Sequence, residues 1–261
     1  MLVLIRGAGD LATGIAIRLI RAGMRVVLTD TENPTAIRRT VAFSEAVRTG
    51  GVTVEDITAE LAATPSQALE IAARGHAAVI VDPAAACRTY LCPDALVDAI
   101  IAKYNTGTRI TDAPVVIGLG PGFTAGKDCH AAVETMRGHD LGRVLYSGSP
   151  MENTGVPGEI GGRGAERVIR APAEGIFTSK RKIGDIVAAG ECVGEVDGKD
   201  VVSNIAGVLR GILPDGIHVT KGMKSGDTDP RANVAACFTV SDKARALGGA
   251  ALEAILHFSK T

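Results

Sequence analysis

Short apolar runs recur through the first half of the chain, at residues 2–5, 25–30, 77–83 and 113–117, and each ends in glycine, proline or a polar residue. Bounded runs of this length read as strands buried on both faces, as in a parallel sheet. Between the first two, Leu11, Ile15, Leu19 and Ala22 recur at helical spacing, and Gly23 follows where helices commonly end. Thr64-Pro65-Ser66 with Gln67 predicts a helix start and a helix over 66–74, closed by Gly75. Residues 37–47 read as helical, 52–57 as a short strand or turn, and 94–103 as a helix capped by Asp94. Residues 129–135 read as a strand, 137–142 as a hairpin turn and 143–146 as its partner strand. Ser241 is placed to cap a last helix with Leu247, Ala251 and Ile255 on one face. Alternating strands and helices predict an α/β fold, a Rossmann-like doubly wound parallel sheet.

The pattern changes after residue 165. Gly175, Gly184, Val187, Gly190 and Gly194 return as Gly207, Gly216, Val219, Gly222 and Gly226, at a constant spacing of 32 (207 − 175, 226 − 194). One register without gaps predicts one supersecondary unit used twice, a small all-β module of two interlocked halves. The phrase Ala171-Pro172-Ala173-Glu174-Gly175, with Gly184-Asp185-Ile186-Val187-Ala188-Ala189-Gly190, resembles the barrel-sandwich hybrid of biotinyl and lipoyl carrier domains. Such domains carry a modified lysine at a central hairpin. Lys199 is nearest, but no methionines flank it, so an unmodified scaffold is expected. Asp227 and Asp229 could hold a cation or form a polar turn. The domains expected are 1–165, a Rossmann-like domain ending in a glycine-rich connector (153–162), then 166–231, the β module, and 232–261, packing back on the first.

The candidate chemistry lies in two glycine loops. Gly7-Ala8-Gly9-Asp10-Leu11-Ala12-Thr13 follows the first strand, with Gly7 and Gly9 at the first two positions of the dinucleotide fingerprint and Ala12 at the third. Asp10 reads as the N-cap of the following helix. Asp30, ending the second strand, is placed either to hold a ribose hydroxyl or to face solvent. Gly118, Gly120, Gly122, Phe123 and Thr124 belong to a second loop after the 113–117 strand, either an anion-binding nest aided by Lys127 or a sharp structural turn. Loops 7–14 and 118–126 are expected to face one cleft. His130, Glu134, Arg137 and His139 are expected close together, as acid/base groups or as polar loop residues, and no metal site is expected.

A net charge of −1 leaves no electrostatic footprint for nucleic acid. Five cysteines, 87, 92, 129, 192 and 237, argue against a disulfide framework. No apolar stretch nears the ~20 residues that span a bilayer, and residues 1–5 are too short for a signal core, so a cytoplasmic protein is expected.

Several segments together carry a resemblance from end to end: Arg6 through Gly14, Ala102-Lys103 with Asn105-Thr106-Gly107-Thr108, Gly118 through Gly126, Glu134-Thr135 with Arg137-Gly138-His139, residues 153–158, and Gly226 through Arg231. They are similar to the YqeB-type proteins of the selenium-dependent molybdenum hydroxylase system. The resemblance implies an accessory protein that matures hydroxylases of the xanthine dehydrogenase type. Its ligand would be a nucleotide or a phosphorylated pterin, the molybdenum pterin cofactor included, and its partner the hydroxylase client. Transfer of sulfur or selenium through Cys129 is left open. The alternatives are an NAD(P)-dependent oxidoreductase with His130 or His139 as proton donor, and a nucleotide-binding protein without catalysis. A homo-oligomer is compatible with each.

Overall fold

The computed structural model describes residues 1–153, 155 and 161–259. The chain divides into two compact units: Met1–Pro34 with Ala42–Thr154 and Val240–Thr261, and Thr35–Val41 with Gly155–Thr239.

The first unit is built on β1 (Leu2–Arg6), α1 (Asp10–Arg21), β2 (Arg25–Asp30), α2 (Ala46–Thr49), β3 (Gly51–Val54), β4 (Ile57–Ala62), α3 (Pro65–Ala73), β5 (Ala77–Val81), α4 (Arg88–Leu91), β6 (Ala95–Asp98), β7 (Val115–Leu119), β8 (Ala131–Val133) and β9 (Val144–Leu145). These strands form one nine-stranded sheet in the order β3-β4-β5-β2-β1-β6-β7-β8-β9. From β4 to β8 every neighbouring pair is parallel, and only the edge strands β3 and β9 run antiparallel. The fold is therefore mixed α/β with a large, mostly parallel sheet. β1 and β7 are buried along their whole length, which is why they read as unbroken apolar runs, and β6 between them is buried too. From β1 the chain first fills one side of the sheet, with β2 to β5, and then the other, with β6 to β9, so the strand order reverses between β1 and β6.

Two elements differ from the sequence reading. Residues 94–103 are not a helix: Ala95–Asp98 is β6, and the Asp94 carboxylate accepts the Leu2 N–H at 2.6 Å instead of capping a helix. A short apolar run does not distinguish strand from helix by itself, and here the place beside β1 decides it. Residues 37–47 are not one helix but two single 3₁₀ turns, Arg39–Val41 and Phe43–Glu45, running into α2.

The last helix, α5 (Asp242–Phe258), is capped as expected, with the Ser241 hydroxyl accepting the Ala244 N–H at 3.2 Å. It crosses α1 at glycine distance. A Cβ on Gly14 would lie 2.5 Å from Ala244 Cβ, and one on Gly248 would lie 2.9 Å from the Gly14 carbonyl. Gly14→Val is therefore expected to cost ~1–3 kcal/mol through overpacking, read as a lower urea midpoint at unchanged m-value.

The second unit holds β10 (Val168–Arg170), β11 (Gly175–Ser179), β12 (Ile186–Val187), β13 (Cys192–Val196), β14 (Lys199–Val202), β15 (Gly207–Ile212), β16 (His218–Val219) and β17 (Lys224–Asp229). They form two four-stranded sheets, β10-β17-β15-β12 and β14-β13-β11-β16. The repeat explains the pairing. Val187 pairs with Gly207, and their equivalents Val219 and Gly175 pair likewise, so each copy lends its short second strand to the other copy's sheet. The bond from Gly184 N–H to the Leu209 carbonyl has its counterpart from Gly216 to Phe177, both at 2.9 Å. Phe177, Val193, Leu209 and Val219 form the core between the sheets. Lys199 begins β14 just after the Asp197-Gly198 turn, where both residues have positive φ, as a tight type I′ hairpin requires.

Asp227 and Asp229 are neither a cation site nor a surface turn. Both are buried in β17: Asp227 pairs with buried Arg167 at 2.7 Å and Asp229 with Arg231 at 2.6 Å. Among the described residues no cluster of metal-binding side chains occurs, and no helix is long and apolar enough to cross a membrane. Most of the 153–162 connector lies outside the described residues.

Candidate functional site

Parallel strands bring their carboxyl ends to one edge of the sheet, and ligands in open α/β sheets bind there, where the strand order reverses. In the first unit that point is β1/β6. Loop 7–14 follows β1, and loop 118–126 begins in the last residues of β7, so both leave the same edge.

The first loop is shaped by backbone needs. Gly7 has φ +93, and a Cβ there would lie 3.2 Å from the Ala99 carbonyl, so glycine is required both for the turn and for the approach of the chain after β6. Gly9 differs. Its φ of −66 and ψ of −177 suit any residue, and a Cβ there would meet nothing within 4 Å. Gly9 is the N-cap of α1, and no side chain caps it. Asp10 is the first helical residue, not the cap. An acid in the first turn suits the helix dipole.

Hydrogen bonds divide the loop into internal and outward parts. The Gly7 N–H goes to the Thr29 carbonyl at 2.8 Å and the Ala8 N–H to the Asp30 carboxylate at 3.0 Å. Thr13 is fully buried: its hydroxyl donates to the Gly9 carbonyl at 2.9 Å and accepts the Phe43 N–H at 2.8 Å. Ala8 and Ala12 are buried packing residues. The first-turn N–H groups beyond Gly9 are those no helix carbonyl can reach. Asp30 also accepts the Thr31 N–H at 2.8 Å. Burial raises its pKa, against the pull of the Thr31 and Ala8 amides. Its carboxylate thus supports the glycine turn.

The second loop is packed rather than open. A Cβ on Gly118 would lie 2.3 Å from the Phe123 ring, one on Gly120 2.9 Å from the Thr135 hydroxyl, and one on Gly122 2.4 Å from Tyr104 Cα. The Gly120 N–H goes to the Val133 carbonyl, the Thr124 N–H to the Asp128 carboxylate, and the Thr124 hydroxyl bonds Ser149. Its glycines make room for neighbours, and several of its amides are already engaged.

Between the two loops runs the segment after β6. Arg6 and Asp98 form a buried pair at 3.0 Å. The Thr108 hydroxyl donates to Asp98 at 2.6 Å and also accepts from Arg6. The Ile100 N–H reaches the other Asp98 oxygen at 3.2 Å. Asn105 ties the far end by accepting the N–H groups of Gly107 and Thr108. Within the segment Ile101 (φ 57) and Lys103 (φ 69) are left-handed without being glycine, a cost of ~1–3 kcal/mol each.

Of the four residues expected together, His130 stands apart, at the other end of β8 from Glu134 and Arg137. His130 lies at the amino end of β8. Its Nδ1 accepts the Val116 N–H at 2.9 Å, which fixes a neutral ring, and burial lowers its pKa. Glu134 follows the carboxyl end, buried, with its oxygens accepting the Met136 and Met151 amides at 2.6 and 2.8 Å. Arg137 forms a forked pair with Asp242 at 2.7 and 2.9 Å, and His139 is exposed.

Sequence reasoning missed Lys243, on the first turn of α5. Its half-buried side chain lies in the field of Arg137, Asp10, Glu134 and Asp242, and makes no hydrogen bond to the described residues. Burial lowers its pKa first and Arg137 second, while the three acids oppose them. Lys243 therefore brings a cation near Asp10 at the start of α1.

Cys129 has no exposed surface, and burial pushes its thiol up to about 11, with Asp128 and Asp98 adding to the shift. That environment suppresses the thiolate a sulfur or selenium carrier needs. Iodoacetamide at pH 8 is expected to label exposed Cys92 in the native protein and to leave Cys129 unmodified until denaturant is added. Labelling of native Cys129 at the rate of Cys92 would contradict this.

No family model matches the chain. Among solved structures, it is similar to an aspartoacylase family protein from Mesorhizobium loti (13% identity, 87% of this chain and 84% of that one, TM-score 0.28). It is also similar to a succinylglutamate desuccinylase/aspartoacylase from Rhodobacter sphaeroides (15% identity, 86% of each chain, TM-score 0.26). Scores this low carry no argument. Over 255 residues the chain is 52% identical to the uncharacterized protein YqeB of Escherichia coli (strain K12). That match takes in 98% of this chain and 47% of that protein, so the chain spans about half the length of the curated relative it matches. The likeness runs through nearly the whole of this chain.

Proposed function

We propose that the first unit is a Rossmann-like domain that binds a phosphate-bearing cofactor, a nucleotide or a phosphorylated pterin, at the carboxyl edge beside Gly9. One observation carries the reading: the Gly7–Asp10 turn stands where the strand order reverses, and the position of Gly9 opens onto free space at the start of α1. A phosphate there meets amides the helix cannot satisfy and the favourable end of its dipole. Lys243 adds a cation to offset Asp10.

The second unit is, in this reading, a barrel-sandwich hybrid without a modified lysine, used to dock a client. The interlocked repeat supports this. Maturation of selenium-dependent molybdenum hydroxylases is the cellular role that the resemblance of the motifs implies.

Calorimetric titration of NAD, NADP, adenine and cytosine nucleotides and a phosphorylated pterin tests the reading. Micromolar binding of one of them without hydride transfer is expected. NAD(P) binding with hydride transfer would replace the reading with an oxidoreductase, and heat from none of them would remove it.

A further inference from the structure

We infer that the segment 99–108 is a platform for a planar heterocycle, with Tyr104 as its stacking residue, and that the bound cofactor is held by its ring as well as by its phosphate. This rests on the phosphate reading above and adds the ring to it.

Four observations converge. The segment leaves β6 at the reversal point, and its backbone at Ile100 lies against Gly7: a Cβ on Gly7 would be 3.3 Å from Ile100 Cα. The phosphate turn and the segment are therefore neighbours. Both ends of the segment are fixed, through Asp98 to Ile100 and Thr108, and through Asn105 to Gly107 and Thr108. Between those ties, Ile101 and Lys103 are held left-handed, a conformation that isoleucine in particular avoids. The backbone of Tyr104 is seated against Gly122 so closely that no side chain fits at 122.

This fixed, strained backbone leaves its apolar residues in water. Tyr104 is 67% exposed and Ile100 is 38% exposed. A stacking surface needs this combination, a backbone held in place and apolar faces left accessible. A flat ring gives both residues something to cover, and aromatic stacking tolerates many ring types. Nucleobases and pterins share this chemistry, and a bare oxyanion lacks it.

The chain has no tryptophan and three tyrosines, so the difference in emission between wild type and Tyr104→Phe reports on the segment. Wild type, Tyr104→Phe and Tyr104→Leu are titrated with a nucleoside monophosphate series, the matching nucleosides, and pyrophosphate, by calorimetry and emission. Tyr90→Leu, also exposed, serves as the control. The inference expects nucleotide affinity to fall about tenfold or more in Tyr104→Leu, to be kept in Tyr104→Phe, and pyrophosphate affinity to be equal in all. Equal nucleotide affinity in Tyr104→Leu and wild type overturns the platform and spares the phosphate site. Nucleoside binding lost in Tyr104→Leu, with no pyrophosphate binding by any form, keeps the platform and overturns the phosphate site. Wild type binding neither nucleotide nor nucleoside overturns the platform.

Discussion

Asp98→Ala is expected to lose ~3–5 kcal/mol of folding stability, the cost of leaving a buried cation without its partner. Arg6 and Asp98 have side chains only 7% and 3% exposed, and they join β1 to β6 at 3.0 Å. Without the carboxylate, Arg6 keeps the Thr108 hydroxyl and the Pro83 carbonyl at 3.3 Å, neither of which carries charge. The Ile100 amide and the Thr108 hydroxyl lose their acceptor too. Urea unfolding of Asp98→Ala, Arg6→Met and the double variant measures this. The double variant is expected to recover much of the loss, because an apolar pair leaves no orphaned charge. A loss below about 1 kcal/mol in Asp98→Ala, the range of exposed pairs, would show that water reaches the pair.

Gly9→Asp is expected to separate binding from folding. The backbone at Gly9 accepts any residue, the Cβ has space, and aspartate is among the best N-caps, so stability is expected to hold or rise by a few tenths of a kcal/mol. The same carboxylate stands where the phosphate is proposed to sit. Like charges brought together cost several kcal/mol, so affinity is expected to fall on the order of a hundredfold. Gly9→Ser, which caps without charge, is expected to fall less. Thermal unfolding and calorimetry on the same samples read both effects. Unchanged affinity in Gly9→Asp would move the ligand away from α1.

Much of the scaffold was written in local pattern. The runs that became β1, β2, β5 and β7 are apolar because both faces of a central parallel strand are buried, and that leaves a mark within a few residues. The 32-residue repeat was legible because its glycines recur at one spacing: Gly184, Gly190, Gly216 and Gly222 take positive φ, while Gly194 and Gly226 make room inside strands. What depended on distant neighbours was not legible. The strand β6 reads equally as a helix until β1 lies beside it. Asp227 read as a turn acid because its partner, Arg167, lies 60 residues away in the chain, whereas the partner of Asp229, Arg231, is local. His130 and Glu134 stand close in sequence, yet β8 carries them to opposite ends of a strand. Lys243 reaches the start of α1 only because Gly14 and Gly248 let two helices cross closely.

The central claim is that the start of α1 holds a phosphate. Its most direct test is a crystal of the wild-type protein soaked in pyrophosphate and phased for phosphorus. A pyrophosphate within hydrogen-bond distance of the first-turn amides beyond Gly9, with Lys243 turned toward it, is the expected result. Pyrophosphate bound elsewhere, or that corner holding only water at saturating concentration, would contradict it.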